Sequence, residues 1–175
     1  MSVTGRGLLS VYTGAGKGKT TAALGLVPRA LGSGLEVAVM QFIKGKWSTG
    51  ERRHFEARDD VVFEVMGRGF TWESDDLSRD RRAALEAWET AAAWIREARF
   101  GLVILDELTY VSHYGFVPVA AIVAALDARP DGVHVVVTGR NAAPELLEIA
   151  DLATEMKKLK HPFDQGLRAV RGLDY

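Results

Sequence analysis

The sequence lacks cysteine altogether, which excludes disulfides, thiolate metal sites and a cysteine nucleophile. It has no excess of one charge either, because 22 basic and 23 acidic residues leave a formal net charge of −1. Such a balance gives no global attraction for nucleic acid or an acidic membrane surface. No apolar run approaches the roughly 20 residues that span a bilayer, and no secretory signal opens the chain. We therefore expect a soluble, cytoplasmic protein with neither nucleic acid nor membrane as a partner.

What the sequence does contain is typical of a folded enzyme-sized unit. Hydrophobic residues make up 47% and charged residues 26%, too apolar a composition for a disordered chain. A chain of 175 residues can bury one substantial core. We expect a single domain over residues 1–175.

Short apolar runs alternate with polar turns and longer helical patterns, which is the signature of a parallel α/β sheet. The runs are β-branched and almost continuously apolar, as in strands covered by helices on both faces. The predicted strands, about six in number, are Leu8 to Thr13, Glu36 to Phe42, Val61 to Val65, Leu102 to Asp106, Val133 to Thr138 and, more weakly, Leu152 to Lys157.

The clearest helix is predicted after Ser78, a suitable N-cap, with Asp80 in its first turn. One stripe at helical spacing should face the sheet; it consists of Leu85, Trp88, Ala92 and Ile95. Shorter helices are predicted to begin near Thr20, Pro118 and Pro144. Pro28 should kink or shorten the first of these helices, because proline lacks the amide hydrogen.

The stretch "TGAGKGKT", residues 13–20, stands between a predicted strand and a predicted helix. Its glycines allow amide groups to turn inward on an anion, and the helix start adds a positive dipole end. This context predicts a phosphate-binding loop, and hence a P-loop NTPase fold. Thr13 departs from the usual glycine or alanine, and Lys17 adds an unusual charge. The predicted nucleotide-binding residues are Thr13, Gly14, Ala15, Gly16, Lys17, Gly18, Lys19, Thr20 and Thr21.

The run "LVILDEL" ends a predicted strand with Asp106 and Glu107. In a parallel sheet, such carboxylates come to lie beside a phosphate loop and can hold magnesium together with the hydroxyl of Thr20. We predict a metal site for Mg²⁺ or Mn²⁺ formed by these three residues. Either acidic residue is also suited to act as a general base in a hydrolase, and the pair taken alone is equally compatible with ordinary surface.

Several motifs in order resemble those of one enzyme family. They are "GAGKGKTT" (14–21), "FIKGKWSTGE" (42–51), "MGRGFTWE" (66–73), "LDELTY" (105–110), "VTGR" (137–140) and "KHPFDQGLRAVRGLDY" (160–175). Together they resemble the ATP:corrinoid adenosyltransferases that make adenosylcobalamin precursors, and the resemblance runs from Gly7 to Tyr175.

The resemblance implies a RecA-like parallel fold, a homodimer, and transfer of the 5′-deoxyadenosyl group of ATP to reduced cobalt with release of triphosphate. ATP, a divalent cation and a corrinoid are implied as cofactor and substrates, and a flavoprotein as electron donor. It implies catalytic roles for Lys19, Glu107, Phe70 and Trp72, with the two aromatic residues beneath the corrin ring. Some relatives fold a longer amino-terminal segment over the site. Since only about seven residues precede the first predicted strand in this sequence, we do not expect a lid from this end. A partner subunit, the loop after Lys44, or no lid at all are the alternatives.

Other residues have two interpretations from the sequence alone. Phe70 and Trp72 alternate in "GRGFTWE", which suits either a buried anchor or a plate against a flat ligand. Lys44 follows the second strand, at the sheet end where α/β proteins bind ligands, yet it is equally compatible with a solvated loop. Arg140 is placed either to reach phosphate or to form a surface ion pair.

Two rival functions stay open at this point. A RecA-like ATPase, one acting on nucleic acid included, has Asp106 and Glu107 in its favour, whereas the neutral charge and the absence of a basic stripe oppose it. A nucleotide-dependent corrinoid carrier without catalysis is the other.

Overall fold

Six parallel strands form one sheet in the computed structural model, which describes residues 5–43, 49–66 and 77–174. The strand order is β3-β2-β4-β5-β1-β6. The strands are β1 (Leu9–Thr13), β2 (Val37–Gln41), β3 (Val61–Val65), β4 (Leu102–Asp106), β5 (His134–Thr138) and β6 (Leu152–Glu155). The predicted α/β class is confirmed, and five strands match the predicted runs within one residue at each end. The sixth, β6, ends two residues early.

Helices cover both faces of the sheet. Among the described residues they are α1 (Lys19–Leu24), α2 (Leu26–Gly32), α3 (Gly50–Phe55), α4 (Leu77–Arg96), α5 (Leu108–His113), α6 (Val119–Asp127) and α7 (Pro144–Glu148). The first three belong to one buried apolar cluster, and α4 to α7 contribute to the other. No described helix has both the length and the apolarity needed to cross a membrane.

Alternating side chains of each central strand feed the two clusters. Val37 and Val39 pack on the side of α1 to α3, whereas Ala38 and Met40 pack on the opposite side. All five residues of β4 are buried, but all four residues of the edge strand β6 are exposed. Burying one aliphatic side chain of the kind found in β4 stabilises the fold by about 1.5–3 kcal/mol. The centre of the sheet therefore supplies a rigid platform for whatever follows the strand ends.

The longest helix differs in detail from the prediction. It begins at Leu77, so Ser78 lies inside its first turn instead of capping it. Trp88 and Ile95 are buried as expected, whereas Leu85 and Ala92 lie only partly buried on the flank. The buried apolar positions are Ala84, Ala87, Trp88, Ala91, Trp94 and Ile95. Alanines take these places because the small side chain lets the helix approach closely.

Three helical details reflect local chemistry. The first helix is short, as predicted: α1 ends at Leu24, and Pro28 lies in the first turn of α2, which begins after Gly25. The short helices α3 and α5 were not predicted, because six residues give too little periodicity to recognise. The Thr49 hydroxyl starts α3 by accepting a hydrogen bond from the Arg52 amide at 3.3 Å.

Candidate active site

The glycine loop joins β1 to α1 in a tightly folded form. Gly14 and Gly18 adopt φ angles of 98° and 113°, a region closed to most side chains. A Cβ atom on Gly14 or on Gly16 would lie 2.6 Å from the carbonyl oxygen of Met156. That same oxygen accepts a hydrogen bond from the Gly16 amide at 2.6 Å. The segment after β6 thus supports the loop from behind, and glycine is required at both positions.

Lys19 is held inside the loop that it follows. Its Nζ donates hydrogen bonds to the carbonyl oxygens of Gly14, at 2.9 Å, and Gly16, at 2.7 Å. Burial lowers the pKa of Lys19, and the nearby carboxylate of Glu107 acts in the opposite direction. The ammonium group lies at the start of α1, so helix dipole and side-chain charge add at one point.

Asp106 ends β4 and is buried, and both oxygens of its carboxylate accept hydrogen bonds from side chains. Its Oδ1 accepts from the hydroxyls of Thr20 at 2.8 Å and Thr138 at 2.7 Å. Its Oδ2 accepts from the side-chain amide of Gln41 at 3.1 Å. Burial raises the pKa of Asp106, although all three donors favour the charged carboxylate. Residues at or after the ends of β1, β2, β4 and β5 thus converge on one carboxylate, as expected where parallel strands end at one edge.

Glu107 is the strained member of the acidic pair. Its φ of 60° places it in the left-handed region, which costs a residue with a side chain about 1–3 kcal/mol. Its amide donates to the Thr138 hydroxyl at 3.0 Å, and its buried Oε2 has no hydrogen-bond partner among the described residues. Burial first, and the neighbouring Asp106 second, raise the pKa of Glu107 to about 7 despite Lys19 and Arg140. An unsatisfied carboxylate oxygen beside a second carboxylate is an arrangement that suits a cation.

The donor set at this corner fits a magnesium ion. Magnesium in nucleotide sites takes one or two carboxylates, a hydroxyl, phosphate oxygens and water. Asp106, Glu107 and Thr20 offer two carboxylates and a hydroxyl, linked by the 2.8 Å bond between Thr20 and Asp106. The described parts of the chain contain no group of three or more histidine, aspartate or glutamate residues that could hold a metal ion by themselves.

An open cavity of about 440 Å³ lies in front of the loop. The described residues that line it are Ala15, Gly16, Lys17, Gly18, Lys19, Thr20, Thr21, Leu24, Gln41, Thr49, Glu51, Asp106, Glu107, Tyr110, Arg140, His161, Leu173 and Asp174. A volume of this order accommodates a small-molecule ligand. Lys17 does not point into it freely, because its ammonium group forms an ion pair with Asp174 near the end of the chain.

Most of the predicted binding residues meet at this cavity. Thr13 and Gly14 do not line it; the Thr13 hydroxyl instead accepts a hydrogen bond from the Ala142 amide at 3.1 Å. The exposed Arg140 reaches the cavity wall from the loop after β5. Lys44, Phe70 and Trp72 lie outside the described residues.

Sequence reasoning missed several described contributors to the site, and four of them contact predicted site residues directly: Gln41, Thr138, Met156 and Asp174. A signal existed for two of them. Gln41 ends an apolar strand with a polar side chain, and Thr138 belongs to the "VTGR" motif after another strand. Nothing in the sequence showed that the carbonyl of Met156 or the side chain of Asp174 would return to the loop.

The comparison with known proteins decides the family. The model of the ATP:corrinoid adenosyltransferase family BtuR/CobO/CobP matches residues 5–175. The chain belongs to this family. A corrinoid adenosyltransferase of Pseudomonas aeruginosa is 46% identical over 171 residues, which cover 97% of this chain and 84% of the relative. One of Escherichia coli K12 is 44% identical over 170 residues, with 97% and 86% covered. The corrinoid adenosyltransferase CobA of Salmonella typhimurium is 43% identical, with the same coverage.

Family membership confirms the resemblance found in the motifs. It also gives the corner of Thr20, Asp106, Gln41 and Thr138 a context, because an ATP:corrinoid adenosyltransferase must hold a nucleotide and leave room for a large second substrate. The cavity extends from the glycine loop to the start of α3, since Thr49 and Glu51 form part of its wall.

Proposed function

We propose that this protein transfers the 5′-deoxyadenosyl group of ATP to the cobalt of a reduced corrinoid and releases triphosphate, in adenosylcobalamin biosynthesis or salvage. The observation that carries the proposal is the family match over residues 5–175. The polar cavity in front of the glycine loop supports it, because that cavity joins a buried lysine, loop amides and two carboxylates.

In this reaction the protein forms no covalent bond with either substrate. Reduced cobalt is itself the nucleophile: it attacks the 5′ carbon of ATP, a cobalt–carbon bond forms, and the carbon–oxygen bond to the triphosphate breaks. The protein has to align the reacting atoms and stabilise the negative charge that develops on the leaving group. No serine, cysteine or histidine nucleophile is needed.

We assign the second task to the loop. Lys19 brings a full positive charge, and the amides of the glycine loop supply further donors to the triphosphate. We assign Thr20, Asp106 and Glu107 to a magnesium ion, which neutralises part of the phosphate charge when bound. Arg140 on the cavity wall would contact the same phosphates.

The corrinoid side of the site is a proposal from the resemblance. We place Phe70 and Trp72 against the corrin ring, where they displace the lower axial ligand, and Lys44 near the two substrates. Phe70→Ala and Trp72→Ala should then leave ATP affinity unchanged and slow adenosylation, most of all when the cobalt must first be reduced. Unfolding of both variants would instead assign the aromatic pair to the core.

One assay tests the reaction. Chemically reduced cobalamin is mixed with the protein, magnesium and ATP, and ultraviolet-visible spectra are followed while the phosphate product is identified. A new cobalt–carbon bond with stoichiometric triphosphate supports the proposal. Release of orthophosphate without corrinoid would instead support an ATPase, for which the partly buried Glu107 is a suitable base. Tight corrinoid binding without turnover would support a carrier. The family match does not favour either rival.

The resemblance also supports a homodimer and a flavoprotein electron donor. Light scattering of the purified protein tests the first proposal. Turnover with a reduced flavoprotein in place of a chemical reductant tests the second.

A further inference from the structure

Thr138 occupies a position between the phosphate loop and the acidic pair. Its strand, β5, lies between β1, which leads into the loop, and β4, which ends in Asp106. The residue is fully buried. Its hydroxyl donates to Asp106 Oδ1 at 2.7 Å and accepts from the Glu107 amide at 3.0 Å. One hydroxyl therefore joins the side chain of one acidic residue to the main chain of the next.

The two bonds use the hydroxyl in a way that no apolar side chain can replace. A hydroxyl has a single proton, which Thr138 donates to Asp106, and a lone pair receives the Glu107 amide. Glu107 has a left-handed backbone that non-glycine residues rarely adopt, so contacts must hold it there. The Thr138 bond holds the amide of that residue, and so the stretch of main chain that carries the side chain whose Oε2 has no partner among the described residues.

We propose that Thr138 is a positioning residue, which holds Asp106 and Glu107 in the relative orientation that lets them receive a nucleotide-bound divalent cation. The inference rests on the proposed function only in taking ATP with magnesium as the ligand. Thr138 touches neither the cation nor the nucleotide in this role, because its hydroxyl is already engaged with the acidic pair.

The test is a comparison of ATP dissociation constants by titration calorimetry, with excess magnesium and with EDTA, for Thr138→Val and Thr138→Ser. Removing partners that orient metal ligands typically reduces metal affinity about 10- to 100-fold. Magnesium should increase the ATP affinity of the wild type, and we expect this increase to be at least about tenfold smaller in Thr138→Val. Affinity in EDTA should stay within about twofold of wild type. Thr138→Ser keeps the hydroxyl and should retain most of the gain.

The matched control is Thr154→Val on the edge strand. Tyr12 of β1 pairs with Thr138 on one side and with Thr154 on the other, so the two threonines occupy equivalent register positions. Thr154 is exposed, on the edge strand that lies farthest from β4 on that side of the sheet. Thr154→Val should bind ATP like wild type in both buffers.

Several outcomes would overturn the proposal. Equal magnesium gains in wild type and Thr138→Val would do so, and so would a loss in Thr138→Ser as large as that in Thr138→Val, since that pattern indicates packing alone. If Thr138→Val does not fold, Thr138→Ala and Thr138→Ser carry the same comparison without the added methyl group. If the wild-type protein binds ATP more tightly with magnesium but does not adenosylate a corrinoid, the proposed function is rejected. The comparison of Thr138→Val with wild type still decides the role of Thr138 in that case.

Discussion

The two ends of the sheet each bury a charged side chain, and they treat it differently. At the amino ends of β1 and β6, Arg129 donates to the carbonyls of Gly7 at 3.0 Å and Leu126 at 2.8 Å, and to Asp151 at 2.6 Å. At the carboxyl ends, Asp106 accepts hydrogen bonds from side chains, and within the described chain all of these donors are uncharged. One charge is matched by an opposite charge, whereas the other has a second carboxylate beside it.

The difference shows what each end is for. Asp151 also accepts a hydrogen bond from the Leu9 amide at 2.8 Å. This bond is the largest cause of the lowered pKa of Asp151, and the charge of Arg129 lowers that pKa further. When folding lowers the pKa of a carboxyl group, the ionised group stabilises the fold at any pH above its pKa in the unfolded chain. This stabilisation is lost as the pH falls through the pKa of the folded state. Glu107 has a raised pKa, so its contribution is present in acid and is lost as pH rises through about 7. The charged group at the amino end stabilises the fold, whereas Glu107 at the carboxyl end lowers stability once it ionises.

The largest expected effect comes from removing the cation that opposes the acidic pair. Lys19→Ala should lower adenosylation at least about 100-fold, because the mechanism we propose uses this buried charge to stabilise the leaving group. Steady-state kinetics and ATP titration measure it. Lys158→Ala, which removes an exposed lysine paired with Asp164 at 2.9 Å, is the matched control and should be close to wild type. Near-normal turnover of Lys19→Ala would remove the loop from the mechanism.

The next effect tests the stabilising end. Arg129→Met should lower the free energy of unfolding by about 2–4 kcal/mol, because the carbonyls of Gly7 and Leu126 and the carboxylate of Asp151 each lose the guanidinium donor. Urea unfolding measures the change, and ATP affinity should not move. Arg6→Met serves as control, since its pair with Asp127 is 3.6 Å long and exposed, and it should cost under about 0.5 kcal/mol. If the two arginine variants were equally stable, the contrast between the two ends would be mistaken.

A third change should make the ligand-binding end more stable. Between pH 4.5 and about 7 the folded protein holds a proton on Glu107 that the unfolded chain has released, so its stability falls as pH rises. The shift sets a ceiling of about 3 kcal/mol. In EDTA, Glu107→Gln should therefore raise the free energy of unfolding by about 1–3 kcal/mol at pH 8 and hardly at pH 5.

The control for that experiment is Glu89→Gln on the exposed face of α4. It should change unfolding by less than about 0.5 kcal/mol at either pH. A stabilisation by Glu107→Gln that is the same at pH 5 and pH 8 would show that ionisation of Glu107 is not its cause.

The smallest effect concerns the ion pair at the cavity rim. Asp174→Asn removes a negative charge beside Lys17 and should strengthen ATP binding about two- to threefold at low salt. The gain should vanish at high salt, because exposed pairs are weak and screened. Asp164→Asn, whose partner Lys158 lies away from the cavity lining, should leave affinity unchanged. Weaker ATP binding by Asp174→Asn would assign the carboxylate a direct role in holding the nucleotide.

The sequence predicted the fold well because its signals were local. Continuous apolar runs such as 102–106 are typical of doubly covered strands, and glycines before Lys19 mark the loop without reference to distant residues. The acidic pair was found in the same way, from its position directly after a strand.

What could not be predicted depends on register between distant segments. Gln41 reaches Asp106 because these two residues are paired across β2 and β4. The carbonyl of Met156 meets Gly16 only because β6 lies beside β1. The buried stripe of α4 was partly misplaced for a related reason: alanines carry little hydrophobic signal, yet they set how closely a helix approaches its sheet.

The position of Asp174 has a practical consequence for handling the protein. A purification tag fused after residue 175 would begin next to the wall of the nucleotide cavity, and its charges would lie within reach of Lys17. Gly5, near the other terminus, accepts a hydrogen bond from the Gly132 amide just before β5, at the amino ends of the strands. We therefore expect a label attached near Gly5 to disturb the measured binding of ATP less than one attached near Asp174.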